Sequence, residues 1–367
     1  MLMYKSNRIS LILILVVILL NLIYCSNEKN NSSGSEVTLK IHAWEGYVRE
    51  YENEFSLYLK KSKKKTIRLE VTNTTGLDSF RKAIKEDGVH LVSPAHDFAI
   101  ILQRENLLKP VDTERLSRFN QLNPLIINKK STVVNGTLFA VPFNFGPFIL
   151  AYNKDKLKKP DSYKILWEPQ HKGRVTIPGK YPTINIYMTA LMLGMPKTSL
   201  FNLNNSQLAR IEKSLRFLCK NQVSDFWDEN LNPDKKDNFD LGMDWGIGVN
   251  KINRDYNGNW GISIPDEGVT GWVDTWAISI NAKDEETISA AYTFIDFMLS
   301  PEIQAKMAQV TTYAPVNPYA ARYLRGKEKE MFYLVDPQEL LEKMILWQPL
   351  DDKTLERYNR TWDRAYK

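Results

Sequence analysis

From Val37 onward, short β-branched runs alternate with longer stretches of helical spacing, and that alternation restricts the chain to the α/β class. Val37–Ala43 alternates apolar and polar residues as a strand does. Trp44–Lys61 carries Tyr47, Tyr51, Phe55, Tyr58 and Leu59 at helical spacing. Ile67–Thr72 predicts a second strand, Leu77–Glu86 a second helix, and His90–Ser93 a short strand stopped by Pro94. A β-α-β-α-β opening starts a doubly wound sheet, and such sheets bind ligands at the carboxyl ends of their strands. Trp44 and Pro94–Asp97 fall at that edge.

Further along, Thr132–Val134, an Asn135-Gly136 turn and Leu138–Val141 read as a hairpin, followed by a strand at Phe148–Tyr152. Residues 154–260 bring strands and helices of their own. Trp276–Ile280 predicts a strand and Thr287–Leu299 a helix. Ser300 is expected to cap the next helix, with Pro301 at its first position. The chain has no internal repeat.

The first 25 residues read as a targeting segment and not as part of the fold. Lys5 and Arg8 precede an apolar run, Leu11–Leu20, and the chain turns polar directly after Cys25. The run is short for a spanning helix, which needs about 20 residues. An uncleaved anchor is the alternative, and either way the remainder is exported. Cys25 stands where a bacterial lipoprotein carries its acylated cysteine. Leu22 suits that motif, whereas Tyr24 replaces the usual small residue. Residues 26–36 are too polar to bury anything and read as a flexible tether. Such a protein would sit in the periplasm, lipid-anchored to a membrane.

Cys219 is the one other cysteine, so lipidation of Cys25 would leave no disulfide, and Cys219 reads as a buried apolar residue. The net charge is +6. Much of the basic excess is local, in Lys60–Lys65. Without interleaved aromatics that run reads as a solvated helix end and not as a nucleic-acid contact.

Seven motifs in one order resemble the periplasmic spermidine/putrescine-binding proteins of ABC importers. They are Trp44-Glu45-Gly46-Tyr47, Leu91-Val92-Ser93-Pro94, Phe139–Gly146, Leu166–Gly173, Asp240–Trp245, Trp272–Ile278 and Tyr313–Asn317. The resemblance covers nearly everything after Val37. It implies a two-lobe periplasmic binding protein fold, each lobe a mixed sheet flanked by helices, with a ligand cleft between the lobes. Residues 37–140 plus 274–320 would form the first lobe, and 141–273 plus 321–367 the second. It also implies a monomer that carries a small cationic solute, a polyamine, to permease subunits, with no cofactor and no metal.

A polyamine needs aromatic walls for its methylenes and π faces or carboxylates for its ammonium groups. The resemblance assigns walls to Trp44, Tyr47, Trp245, Trp272 and Tyr313, a polar contact to Gln348, and the principal carboxylate to Asp274. Trp272 and Asp274, two apart on an extended segment, face the same way, where a buried acid is costly without a cation. The family's carboxylates after Val175-Thr176-Ile177 are missing: Pro178–Asn185 holds a lysine and no acid. Glu45, Asp97 or Asp244 is expected to relocate that charge; otherwise the solute has one charge or none.

Enzyme chemistry finds little support. No nucleotide-binding glycine motif or zinc-protease motif occurs, and the four histidines are scattered. His96 beside Asp97 could form an acid/base pair or ligate a metal, but a lone loop histidine is more often structural. The alternative to transport is a binding-fold lipoprotein for another solute, or a surface-interaction or sensory module, which the Lys60–Lys65 run would favour.

Overall fold

The computed structural model describes residues 36–127, 132–325 and 337–367. The targeting segment, Cys25 and the tether before Glu36 lie outside them. Strand β1 (Val37–Ala43) runs parallel to β2 (Ile67–Asn73), and α1 (Glu52–Lys61) connects them. Helix α2 (Leu77–Lys85) then leads to β3 (Leu91–Val92), parallel to β1 on its other side, and α3 (His96–Arg104) follows at once. Trp44–Val48 does not join the expected helix. Gly46 takes φ +85°, a conformation that suits glycine, and the Tyr47 N–H bonds the Trp44 carbonyl. Both aromatics therefore stand on a loop at the strand's carboxyl end.

Asn135 and Gly136 do form a tight turn, both at positive φ, but the hairpin spans only Val133–Val134 and Thr137–Leu138 and joins neither large sheet. Strand β4 (Val141–Pro147) belongs to the first sheet, and β5 (Ile149–Asn153) opens the second. The chain thus crosses at Pro147–Phe148, later than the position expected after residue 140. Phe143 and Phe145 of β4 are buried in the core, which holds the whole strand in the first sheet.

The second lobe continues with β6 (Val175–Pro178), α4 (Pro182–Met192), α5 (Asn205–Phe217), β7 (Val223–Trp227), β8 (Leu241–Asp244), α6 (Ile247–Asp255) and β9 (Trp260–Ser263). Its sheet order is β9-β5-β8-β6-β7. Strand β10 (Val269–Ile278) returns to the first sheet, pairing antiparallel with β4 and β3. It starts well before Trp276 because every one of its residues is buried, so no alternation marks its first half.

Helices α7 (Glu285–Met298) and α8 (Pro301–Thr311) precede the short β11 (Ala314–Pro315) at the sheet edge. Pro301 opens α8 as expected, but the Ser300 side chain makes no capping bond. Strand β12 (Met344–Leu346) pairs with the start of β10, and α9 (Asp352–Tyr366) ends on the second lobe. There the Tyr358 hydroxyl donates to the Leu200 carbonyl at 2.7 Å and accepts the Leu203 N–H at 3.0 Å.

Two smaller expectations are resolved as well. Cys219 is half-buried in a π-helical turn after α5, and burial pushes its thiol up to about 12. Lys60–Lys65 is exposed at the end of α1, where Lys65 pairs with Glu286 at 2.6 Å. Among the described residues no helix is long and apolar enough to cross a membrane.

Candidate functional site

The site grows out of the paired crossing strands. On β10, Trp272 lies opposite Gly146 and Asp274 opposite Asn144 of β4. A Cβ on Gly146 would stand 2.9 Å from the Trp272 ring, so only glycine lets the indole lie across β4. In that position the Trp272 Nε1–H donates to Asp274 Oδ2 at 3.0 Å. The Tyr47 hydroxyl, from the loop after β1, donates to the same oxygen at 2.5 Å. Asp274 is 4 % exposed, and burial pushes its carboxyl up to about 7, against the two hydrogen bonds that favour its charged form.

An aromatic cluster adjoins this acid through Trp272. Trp272 stacks on Trp347 at 5.6 Å and meets Tyr313 and Trp245 edge-on at 4.9 and 5.3 Å. Trp245, at the amino end of α6, packs in turn against Tyr181 and Phe148 of the second lobe and donates its Nε1–H to the Glu229 carbonyl. The box therefore draws walls from both lobes and from the segment after β12.

His96 ties three of these pieces together. Its Nδ1 accepts the Val273 N–H at 3.2 Å, so the proton sits on Nε2, which donates to the Trp347 carbonyl at 2.8 Å. Burial lowers its pKa, and the neutral ring acts as a brace. Asp97, the next residue, is half-buried with Oδ1 shielded and unpartnered among the described residues. Burial raises its pKa, and its charge in turn raises that of Asp274.

The remaining sequence candidates divide. Trp44 is half-buried, with its ring edge-on to Phe80 at 5.7 Å inside the first lobe. Glu45 and Gln348 are exposed. Asp244 is fully buried but committed to backbone groups: it accepts N–H bonds from Gly246 and Val249 at the start of α6 and from Leu231, and burial pushes its carboxyl up to about 6. Sequence reasoning passed over Trp347, Tyr181, Phe148 and Asn144, and read His96 as an acid/base partner, a metal ligand or, more often for a lone loop histidine, a structural residue, which is the role it has here. The signal for Trp347 was its place beside Gln348. A surface depression of about 380 Å³ lined by Gln121, Pro301, Tyr319 and Arg322 offers a cation and no acid, which suits an ammonium poorly.

Two α/β lobes joined by crossing strands, with a buried acid and stacked indoles at the crossing, define a two-lobed solute-binding protein. Residues 59–331 match the family described as bacterial extracellular solute-binding protein, and the chain belongs to that family, whose members bind solutes and are not enzymes. Among its relatives is the spermidine/putrescine-binding periplasmic protein of Escherichia coli K12, 27 % identical over 252 residues, covering 67 % of this chain and 68 % of that protein. The putrescine/agmatine-binding protein of Pseudomonas aeruginosa is 23 % identical over 319 residues, covering 79 % and 84 %.

Two solved structures share the fold. The substrate-binding protein PotD of a Streptococcus pneumoniae spermidine/putrescine ABC transporter superposes with a TM-score of 0.75 at 19 % identity, over 90 % of this chain and 100 % of that one. The TpPotD lipoprotein of Treponema pallidum gives 0.72 at 17 % identity, over 89 % and 99 %.

Proposed function

We propose that this protein captures a polyamine in the cleft between its lobes and hands it to the permease of an ABC importer. The observation that carries the reading is Asp274, an acid held almost out of solvent by Tyr47 and Trp272 and walled by indoles. A buried carboxylate without a cation is costly, and an ammonium placed against it forms a charge-assisted hydrogen bond. The faces of Trp272, Trp347 and Trp245 supply cation–π attraction and cover methylenes. Asp97 is the second acid of the site, and its unpartnered oxygen suits a second ammonium. The repulsion between Asp97 and Asp274 is relieved when a dication sits between them. The relatives' polyamine names support the same cargo.

Titration calorimetry with spermidine and putrescine tests this. Micromolar or tighter binding, about −8 kcal/mol or better, is expected; no heat with any alkylamine rejects the cargo. Asp97→Asn is expected to weaken putrescine more than butylamine, and equal weakening removes Asp97 from the site. In the same reading the protein is a periplasmic monomer anchored through a lipid on Cys25. The intact mass of membrane-extracted protein checks the anchor: an unacylated amino terminus beyond residue 25 excludes it.

A further inference from the structure

Resting on that reading, we infer that Asn250 is a latch that holds the two lobes closed over the solute. Helix α6 of the second lobe starts two residues after Trp245, with Gly246 as its cap, and Asp244 fixes its direction by accepting the N–H groups of Gly246 and Val249 at 2.9 and 3.0 Å. One turn on, the Asn250 side-chain amide donates to the carbonyls of Gln309 and Val310 at 3.1 and 3.2 Å. These lie in the last turn of α8, in the first lobe. An amide nitrogen has two hydrogens, one for each acceptor.

The contact is set by the residues of the box. On the second lobe Trp245 adjoins Gly246, which at φ +104° leaves no room for a side chain: a Cβ would lie 2.2 Å from Thr312 Oγ1. On the first lobe Thr312, itself at φ +63°, adjoins Tyr313, whose ring meets Trp272. The bonds of Asn250 thus join two backbone segments that each carry a wall of the cleft. Parting Trp245 from Tyr313 to admit or release a solute must also part Asn250 from α8.

Stopped-flow dissociation of spermidine, followed by tryptophan fluorescence, tests the latch. Asn250→Ala should speed release by about tenfold, as expected for two hydrogen bonds given up on opening. Asn250→Asp should speed it more, since a carboxylate faces the negative end of α8. The association rate, the spermidine-to-putrescine preference and the melting temperature of the solute-free protein should stay as they are. Unchanged release overturns the inference, as does faster release matched by an equal loss of stability in the solute-free protein, which marks a permanent strut. If the unaltered protein binds no amine, the functional reading fails, and the latch is judged on natively purified protein carrying its retained solute, by spin labels at Lys85 and Lys213 in a Cys219→Ser background. A wider inter-lobe distance in Asn250→Asp supports it, and an unchanged distance overturns it.

Discussion

The residue that concentrates the chemistry is Asp274, and its environment makes opposite demands in the empty and filled protein. With no cation its charge is opposed by burial; with one, the charge is what binds. Replacing it by asparagine is expected to weaken a polyamine by about 1.5–3 kcal/mol, the range for hydrogen bonds to charged groups. Calorimetry checks this, and a change under twofold would remove the acid from the site. Gly146 acts through the neighbouring indole. Gly146→Ala drives a methyl into the Trp272 ring, breaking its alignment on Asp274, so affinity should fall by about tenfold, the equivalent of one hydrogen bond, with altered tryptophan fluorescence. Unchanged binding would show that the ring shifts freely. At this scale the sequence was partly legible. Trp272 and Asp274 announce themselves because residues two apart on a strand share a face. Trp347 does not, because it follows a three-residue strand too short to show a period. Glu45 and Asp97 look equivalent in sequence, yet one is exposed and the other shielded, and only tertiary packing distinguishes them.

At the scale of elements, α6 shows how a buried acid serves a helix instead of a ligand. Asp244 satisfies N–H groups at the helix start that would otherwise be unpaired. Asp244→Ala should therefore cost about 1–2 kcal/mol of stability, as loss of a strong cap does, read as a lower thermal midpoint. Solute affinity should fall with it, since the same turn carries Trp245; an unchanged midpoint would deny the capping role. The early strands and helices were readable from periodicity, and β1, β2 and α2 match it closely. The crossing was not, because β4 and β10 are buried on both faces and carry no alternation that marks which lobe they serve. The Trp44–Tyr47 segment misled because its aromatics fit a helical period, whereas the Gly46 backbone takes the chain out of it.

For the whole molecule, the raised pKa of Asp274 couples acidity to both folding and cargo. Its carboxyl lies near 7 when folded and at an ordinary 3.8 when unfolded, so between those values the folded state holds the extra proton. That stabilising contribution is complete below about pH 4 and is lost as pH rises through 7; Asp97 and Asp244 shift in the same direction. Binding of an ammonium runs the other way, because it requires the deprotonated acid. The melting increment produced by spermidine should therefore grow as pH rises from 5 to 8. An increment independent of pH would show that Asp274 is ionised before the solute arrives. The routing of the chain has a consequence of a different kind. Helix α9 seals the second lobe against elements made some 150 residues earlier, and β10 does the same for the first. Neither half can close its core while synthesis is at its midpoint, and pairings so distant in sequence form slowly. An extended, unfolded interval is thus written into the topology, and it is the state in which a polypeptide can be threaded across a membrane.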